Sequence, residues 1–230
     1  MKIYKHYSFD LWLTLIKSNP QFKQERAKLF HSKYNTLNKS FDEVATIVRQ
    51  VDLMVNSMNE KTGKNIDADE MCLMVISIIN DYHPDFGGMD MESLYSEMEA
   101  LLFNYMPLVY CDHTKNTLAK LKESGSSTLS ILSNTGFIRG KTLRKVLTAL
   151  EIAPLLDFQL YSDEVKLSKP NKAFFQLMLD TIDRKKHTDI ELHEIVHIGD
   201  NPVADILGAT SAGIKSVLIN SNQQTISCLI

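Results

Sequence analysis

Residues 194–212, EIVHIGDNPVADILGATSA, pass from a short apolar strand (Glu194–Ile198) through a polar turn into a helix (Val203–Ala212). A continuous apolar run of this length, stopped by Gly199 and followed by Pro202, has the pattern of a strand buried on both faces. A strand of that kind belongs to a parallel sheet, which needs a crossover helix between neighbours. The same unit recurs on either side. Thr128–Leu132 reads as a strand, Lys141–Leu150 as a helix, Asp157–Tyr161 as a strand, Lys172–Ile182 as a helix and Lys215–Ile219 as the last strand. Upstream, a helix over His113–Ser124 ends at Gly125, and residues 3–9 form an extended stretch that ends at Asp10. Strands alternating with helices predict βαβ units and a parallel sheet covered on both faces.

Between Pro20 and Tyr105 the texture changes. Phe22, Ala27, Phe30 and Tyr34, then Val44, Ile47, Val48, Val51 and Met54, recur at helical spacing. Asp67-Ala68-Asp69-Glu70 is an acidic helix start leading into Met71–Tyr82, and a further helix runs from Met91 to Asn104. His83-Pro84 and Gly87-Gly88 punctuate this region, and no stretch in it has a strand pattern. Seven of the ten methionines fall between residues 54 and 98, a placement that predicts packing inside a helical bundle. The chain is therefore an α/β core with a helical insertion between its first strand and the rest.

With 230 residues, 44% of them hydrophobic and 23% charged, the chain can bury a sizeable core. Twenty-five basic residues against 28 acidic ones give a formal net charge of −3, which excludes a strong field toward nucleic acid or membrane. No apolar run reaches the roughly 20 residues of a membrane span, and the first residues lack the apolar block of a signal peptide. Cys72, Cys111 and Cys228 have no C-x-x-C spacing and imply neither a disulfide framework nor a zinc site. The expectation is a cytoplasmic, soluble protein.

In an open parallel sheet, ligands bind beyond the carboxyl ends of the strands. Strand one delivers Asp10 and Thr14; the Ile131-Leu132 strand delivers Ser133, Asn134 and Thr135; the Val196–Ile198 strand delivers Gly199, Asp200 and then Asp205. Ser168-Lys169-Pro170 precedes the helix of Phe174. A carboxylate becomes a usable nucleophile when a metal and a lysine neutralise the charge around it. Asp10 and Asp200 offer the hard oxygens that suit Mg²⁺. Ser133, the neighbouring backbone N–H groups and Lys169 could hold the oxygens of a phosphoryl group.

These residues resemble the four motifs of the haloacid dehalogenase (HAD) superfamily. Phe-Asp-Leu-Trp-Leu-Thr-Leu (9–15) is similar to the first, Ile-Leu-Ser-Asn-Thr (131–135) to the second, Ser-Lys-Pro (168–170) to the third and Ile-Gly-Asp-Asn-Pro-Val-Ala-Asp (198–205) to the fourth. Each is weak alone; four in order, each at a strand end, are specific. The resemblance implies a Rossmann-like core of residues 1–16 and 106–230 and a helical cap domain of residues 17–105. It implies Asp10 as nucleophile, Ser133 as phosphate-binding hydroxyl, Lys169 as charge neutraliser and Asp200 as metal ligand, with Asp205 as a supporting acid. The other protein ligand to Mg²⁺ would be the backbone carbonyl of Trp12. Thr14, Asn134 and Trp12 are placed at the substrate, a small phosphorylated metabolite.

One position departs from the pattern. Phosphatases of this family carry a second Asp two residues after the nucleophile, followed by Gly-Thr; here those positions are Trp12, Leu13 and Thr14. That Asp protonates the leaving oxygen and then activates water, help typically worth about 10²–10⁴-fold. Indole N–H cannot replace it. Three readings accommodate Trp12: a phosphatase with a good leaving group or an acid supplied by the cap or substrate, a metal-free dehalogenase-like enzyme, or a weakened binding homologue. The acids Asp200 and Asp205 favour the phosphatase, because dehalogenases of the family are metal-free and replace the first fourth-motif acid. Ordinary roles are expected for the remaining residues. His197 is a satisfied core histidine, His6 and His83 are weak candidates for a proton shuttle, Thr14 bonds backbone in its loop, and Arg49, Lys61 and Lys64 are solvated charges.

Overall fold

The computed structural model describes residues 4–123, 127–185 and 189–230. In chain order it contains β1 (His6–Phe9), β2 (Ile16–Lys17), α1 (Pro20–Tyr34), α2 (Phe41–Thr62), α3 (Ala68–Ile79), α4 (Met91–Asn104) and β3 (Leu108–Val109). Then follow α5 (Thr114–Glu123), β4 (Thr128–Ser133), α6 (Gly140–Ala149), β5 (Phe158–Tyr161), α7 (Ser162–Val165), α8 (Lys172–Lys185), β6 (Ile195–Gly199), α9 (Gly208–Ser211) and β7 (Lys215–Leu218). Five strands form a parallel sheet in the order β5–β4–β1–β6–β7. The fold is the expected α/β, Rossmann-like one.

Every residue of β1, β4 and β6 is buried, polar side chains included, because the sheet is covered on both faces. The polar side chains within them pair across strands. His6 bonds Thr128 Oγ1 at 2.7 Å and Ser130 Oγ at 2.8 Å, while Ser8 Oγ meets His197 Nδ1 at 2.9 Å. In the register, Phe9 stands opposite Ile131 on one side and Ile198 on the other. The segments after these strands, at Asp10, Ser133 and Asp200, therefore emerge at one edge. Strand order reverses beside β1, since the chain runs outward through β4 and β5 and then returns to β6 on the far side. Such a switch point opens a crevice for ligands.

The insertion enters and leaves through the antiparallel pair β2–β3, with Ile16 opposite Val109. Val44, Val48, Val51 and Val55 line one buried face of α2. Ser40 and Glu43 close its start as a capping box, and Gly63 ends it in the left-handed conformation, with φ of 65°. The helices share one apolar cluster with the sheet, in which Phe30, Val48, Met71 and Met98 join Phe9, Leu11 and Leu15. Polar contacts sew the same seam. Tyr95 Oη accepts from Arg139 N at 2.8 Å and meets Thr142 Oγ1 at 3.0 Å, and Thr142 in turn donates to Glu99 Oε1 at 2.6 Å. The Arg139 guanidinium lies 3.8 Å from the centre of the Tyr95 ring and pairs with Asp69 and Glu92.

Several expectations need correction. The helix expected over Val203–Ala212 begins as a π-helical turn, Pro202–Leu207, before α9. Asp205 N and Ile206 N both reach Asn201 O, and the wider turn faces Asp205 inward. The short β2, β3 and α7 had no periodic signal. Met71 and Met98 are buried as expected, but Met54 and Met58 stand exposed on α2. The predicted stop of α5 at Gly125 lies outside the described residues. Among the described residues no helix is long and apolar enough to cross a membrane.

Replacing Tyr95 by Phe strips a buried partner from Arg139 N–H, a loss of about 1–3 kcal/mol. The expected result is a lower urea midpoint with an unchanged m-value. An unchanged midpoint would show that this seam contributes nothing.

Candidate active site

At the carboxyl edge of the sheet, four motifs meet around one ammonium group. Lys169 Nζ donates to Asp10 Oδ1 at 2.7 Å and to Asp205 Oδ1 at 2.6 Å, and all three groups are buried. Ser133 Oγ donates toward the same Asp10 oxygen at 3.3 Å, in competition with Asn134 O at 3.1 Å. Among the described residues nothing donates to Asp10 Oδ2. One carboxylate oxygen is thus fixed and the other is left without a donor among the described residues.

Asp205 is held from several directions. Oδ1 also contacts His197 Nε2 at 3.0 Å, and Oδ2 accepts from Asn201 N at 3.0 Å. Burial penalises its charge, but Lys169 and His197 more than offset this and hold it below the ordinary carboxylate range. An ionised Asp205 only accepts, so His197 carries its proton on Nε2 and accepts from Ser8 Oγ on Nδ1. Burial lowers the His197 pKa, with Lys169 adding to the effect, and so keeps the ring neutral. His197 is the satisfied core histidine expected, with Phe175 edge-on at 5.3 Å. A Cβ on Gly199 would sit 2.1 Å from Asp205 Cγ, so only glycine lets this carboxylate pass.

Asp10, Asp200 and Asp205 can each offer one oxygen such that all lie within 4.8 Å of one another. Burial pushes Asp200 up to about 7, and Asp10 and Asp205 add repulsion. Asp10 is also raised, by burial first and by Asp205, against the pull of Lys169. Three carboxylates face one ammonium. Hard oxygens with unbalanced negative charge fit a divalent cation such as Mg²⁺, with Asp10 and Asp200 free to ligate and Asp205 engaged as support.

The other expected residues divide. Trp12 is half-buried, packs on the apolar cluster and also walls the cavity above Asp10. Asn134 lines the cavity, but its side chain is committed elsewhere: Oδ1 accepts from Lys169 N at 2.7 Å and Nδ2 donates to Lys169 O at 3.0 Å. Thr14 is buried and off the cavity wall, and its hydroxyl has no partner, contrary to the backbone bond expected of it. His6 is held between Thr128 and Ser130, and neither it nor His83 reaches the cavity.

The cavity holds about 400 Å³ and is walled on the far side by the helical insertion, with Arg26 on α1 and Arg49, Asp52, Asn59 and Glu60 on α2. Arg49, expected to be a solvated charge, pairs with Asp52 at 3.2 Å on this wall. Glu60 Oε2 accepts from Asn201 Nδ2 at 2.9 Å. Sequence reasoning passed over Arg26 although a signal existed. It sits four residues from both Phe22 and Phe30, a cation inside the apolar stripe of α1.

A sequence signature of haloacid dehalogenase-like hydrolases matches residues 7–219. Over 111 residues the chain is 34% identical to a glyceraldehyde 3-phosphate phosphatase of Methanothermobacter thermautotrophicus, covering 47% of this chain and 44% of that one. It is 31% identical over 111 residues to a ribulose-1,5-bisphosphate 5-phosphatase of Halopiger xanaduensis, covering 48% and 42%. The chain thus spans less than half the length of these relatives. Its fold is similar to the HAD-hydrolase YfnB of Bacillus subtilis bound to magnesium (TM-score 0.70, 18% identity, 97% and 92% of the two chains). It is also similar to L-2-haloacid dehalogenase of Xanthobacter autotrophicus (TM-score 0.60, 17% identity, 94% and 77%).

A raised Asp200 carries a definite sign. Protein with its metal chelated is most stable below about pH 4 on account of this group, and loses that contribution as pH rises through about 7. Thermal melts in EDTA should show that decline between about pH 4 and 7, and Asp200→Asn should flatten it. A slope that Asp200→Asn leaves intact would assign it to other groups.

Proposed function

We propose that this chain, which belongs to the haloacid dehalogenase-like hydrolase family, is a Mg²⁺-dependent phosphatase that acts on a small phosphorylated metabolite through an aspartyl-phosphate on Asp10. The observation that carries the reading is the Asp10 carboxylate itself, with Oδ1 bonded to Lys169 at 2.7 Å and two further acids beside it. A metal-free dehalogenase would gain nothing from Asp200 and would bear its repulsion against Asp10. The partial likeness to two phosphatases supports the same choice.

Mg²⁺ held by Asp10, Asp200 and the backbone carbonyl of Trp12 would supply charge neutralisation for the phosphoryl oxygens. The chain's own groups do the rest. Asp10 Oδ2 attacks phosphorus, the bond from phosphorus to the ester oxygen breaks, and Lys169 and Ser133 hold the oxygens of the transferred group. Water then attacks the aspartyl-phosphate and releases inorganic phosphate. Helices α1–α4 act as a cap that excludes bulk water from these steps.

Trp12 cannot give the leaving oxygen its proton. Apart from the clustered acids, the carboxyl groups on the cavity wall are Asp52 and Glu60, both from α2. Asp52 is paired with Arg49, whereas Glu60 is held beside the fourth motif by Asn201. Glu60 is the group assigned to donate that proton and then to draw one from the attacking water.

Phosphate release from phosphate esters should require Mg²⁺, stop with EDTA and vanish in Asp10→Asn, and quenched wild type should carry one phosphoryl group on Asp10 by mass spectrometry. Chloride release from 2-chloropropionate without metal, with no phosphate released from any ester, would overturn the reading. Glu60→Gln should slow alkyl phosphate hydrolysis about 10²–10⁴-fold while sparing the first step with p-nitrophenyl phosphate, whose leaving group needs no proton. Equal losses on both substrates in that first step, read from the pre-steady-state burst of released alcohol or p-nitrophenol, would remove Glu60 as the proton donor.

A further inference from the structure

We infer that Arg26 is a specificity-determining residue for a second oxyanion on the substrate, so that the preferred substrate carries a carboxylate or a further phosphate at the end remote from the transferred phosphoryl group. The inference rests on the phosphatase reading only for which end reacts.

Arg26 is 7% exposed, and among the described residues no hydrogen bond or ion pair reaches its guanidinium. Its Nε is buried without a partner. The group is instead held by rings, lying 4.1 Å from the centre of Phe137 and 5.6 Å from that of Phe22. Contact with ring faces engages the charge of a guanidinium without using its N–H groups, which stay open to a ligand. Burial lowers the Arg26 pKa and nearby Asp52 pulls the other way. An arginine stays protonated regardless, and Asp52 is already bonded to Arg49. Asn59, on α2, also lines the cavity, and among the described residues its buried Nδ2 has no partner.

The cavity has opposite charge at its two walls. The sheet side presents Asp10, Asp200 and Asp205 against Lys169. The wall drawn from residues 12–60 presents four cations, Lys17, Lys23, Arg26 and Arg49, against Asp52 and Glu60. About 400 Å³ between them suits a compact metabolite that spans the gap. Its phosphoryl group belongs at the sheet, where Lys169 and Ser133 await it, so a second oxyanion meets the fork of Arg26.

The test compares glycerol 3-phosphate with 3-phosphoglycerate, which replaces a neutral hydroxymethyl by a carboxylate, and 3-hydroxypropyl phosphate with 1,3-propanediol bisphosphate, which adds a phosphate. Wild type should favour the compound with the second oxyanion in one of the pairs by about 10–100-fold in kcat/KM, carried mainly by KM. The pair that shows the preference identifies the oxyanion. Arg26→Met should bring the ratio near one, and Arg26→Lys, which keeps charge without the fork, should fall between. The chain's single tryptophan, Trp12, lines the same cavity, so its fluorescence reports binding without turnover. If esters are hydrolysed but wild type shows no preference in either pair, or Arg26→Lys keeps the wild-type ratio, the Arg26 assignment falls and the phosphatase reading stands. If no ester is hydrolysed yet fluorescence titration shows a preference for the compound with the second oxyanion that Arg26→Lys weakens, the assignment stands and the phosphatase reading falls.

Discussion

The Lys169 ammonium between Asp10 and Asp205 is the interaction around which the rest of the site is organised. A buried ion pair is worth its desolvation only with good geometry and further hydrogen bonds, and here each supporting group is itself supported. Asp205 is fixed by His197 and by Asn201 N–H, His197 by Ser8, and the approach of Asp205 by the bare Cα of Gly199. The reciprocal pair between Asn134 and the Lys169 peptide sets the height of the lysine above the sheet. Loss of Lys169 or of either carboxylate would leave an uncompensated charge in a dry environment, and loss of a neutral member would leave its buried partner unsatisfied, which costs more than the bond removed.

Much of this was legible in the chain. Continuous apolar runs such as Ile195–Ile198 announce strands buried on both faces, and the polar residue that ends each run marks the catalytic edge. Register then does what sequence spacing alone cannot, bringing Asp10, Ser133 and Asp200 to one edge from widely separated positions. Other features were opaque because the signal is not local. Asn134 has the composition of a turn, and only the structure shows its amide gripping a peptide 35 residues away. A helical period names the buried face of α1 but not what it faces, so Arg26 gives no hint of a cavity. The π-helical turn at Pro202–Leu207 arises from the inward reach of Asp205, a tertiary demand on an ordinary helical pattern.

The cavity also separates two tasks along the chain. The segments that follow the core strands supply Asp10, Lys169 and the clustered acids, whereas α1 and α2 supply Arg26, Arg49, Asn59 and Glu60. In the proposed reading, chemistry is set by the sheet side and discrimination by the insertion. Trp12 stands at the junction, with its ring on the cavity wall and one side packed into the apolar cluster.

The left-handed end of α2 ties these tasks together. Gly63 O accepts from Ser168 N at 3.1 Å and from Asn171 Nδ2 at 3.0 Å, groups that flank Lys169. Any withdrawal of α2 breaks both bonds and frees the loop that places the ammonium against Asp10. The insertion and the lysine therefore form an interlock, in which the position of α2 and the seating of the positive charge are mechanically coupled.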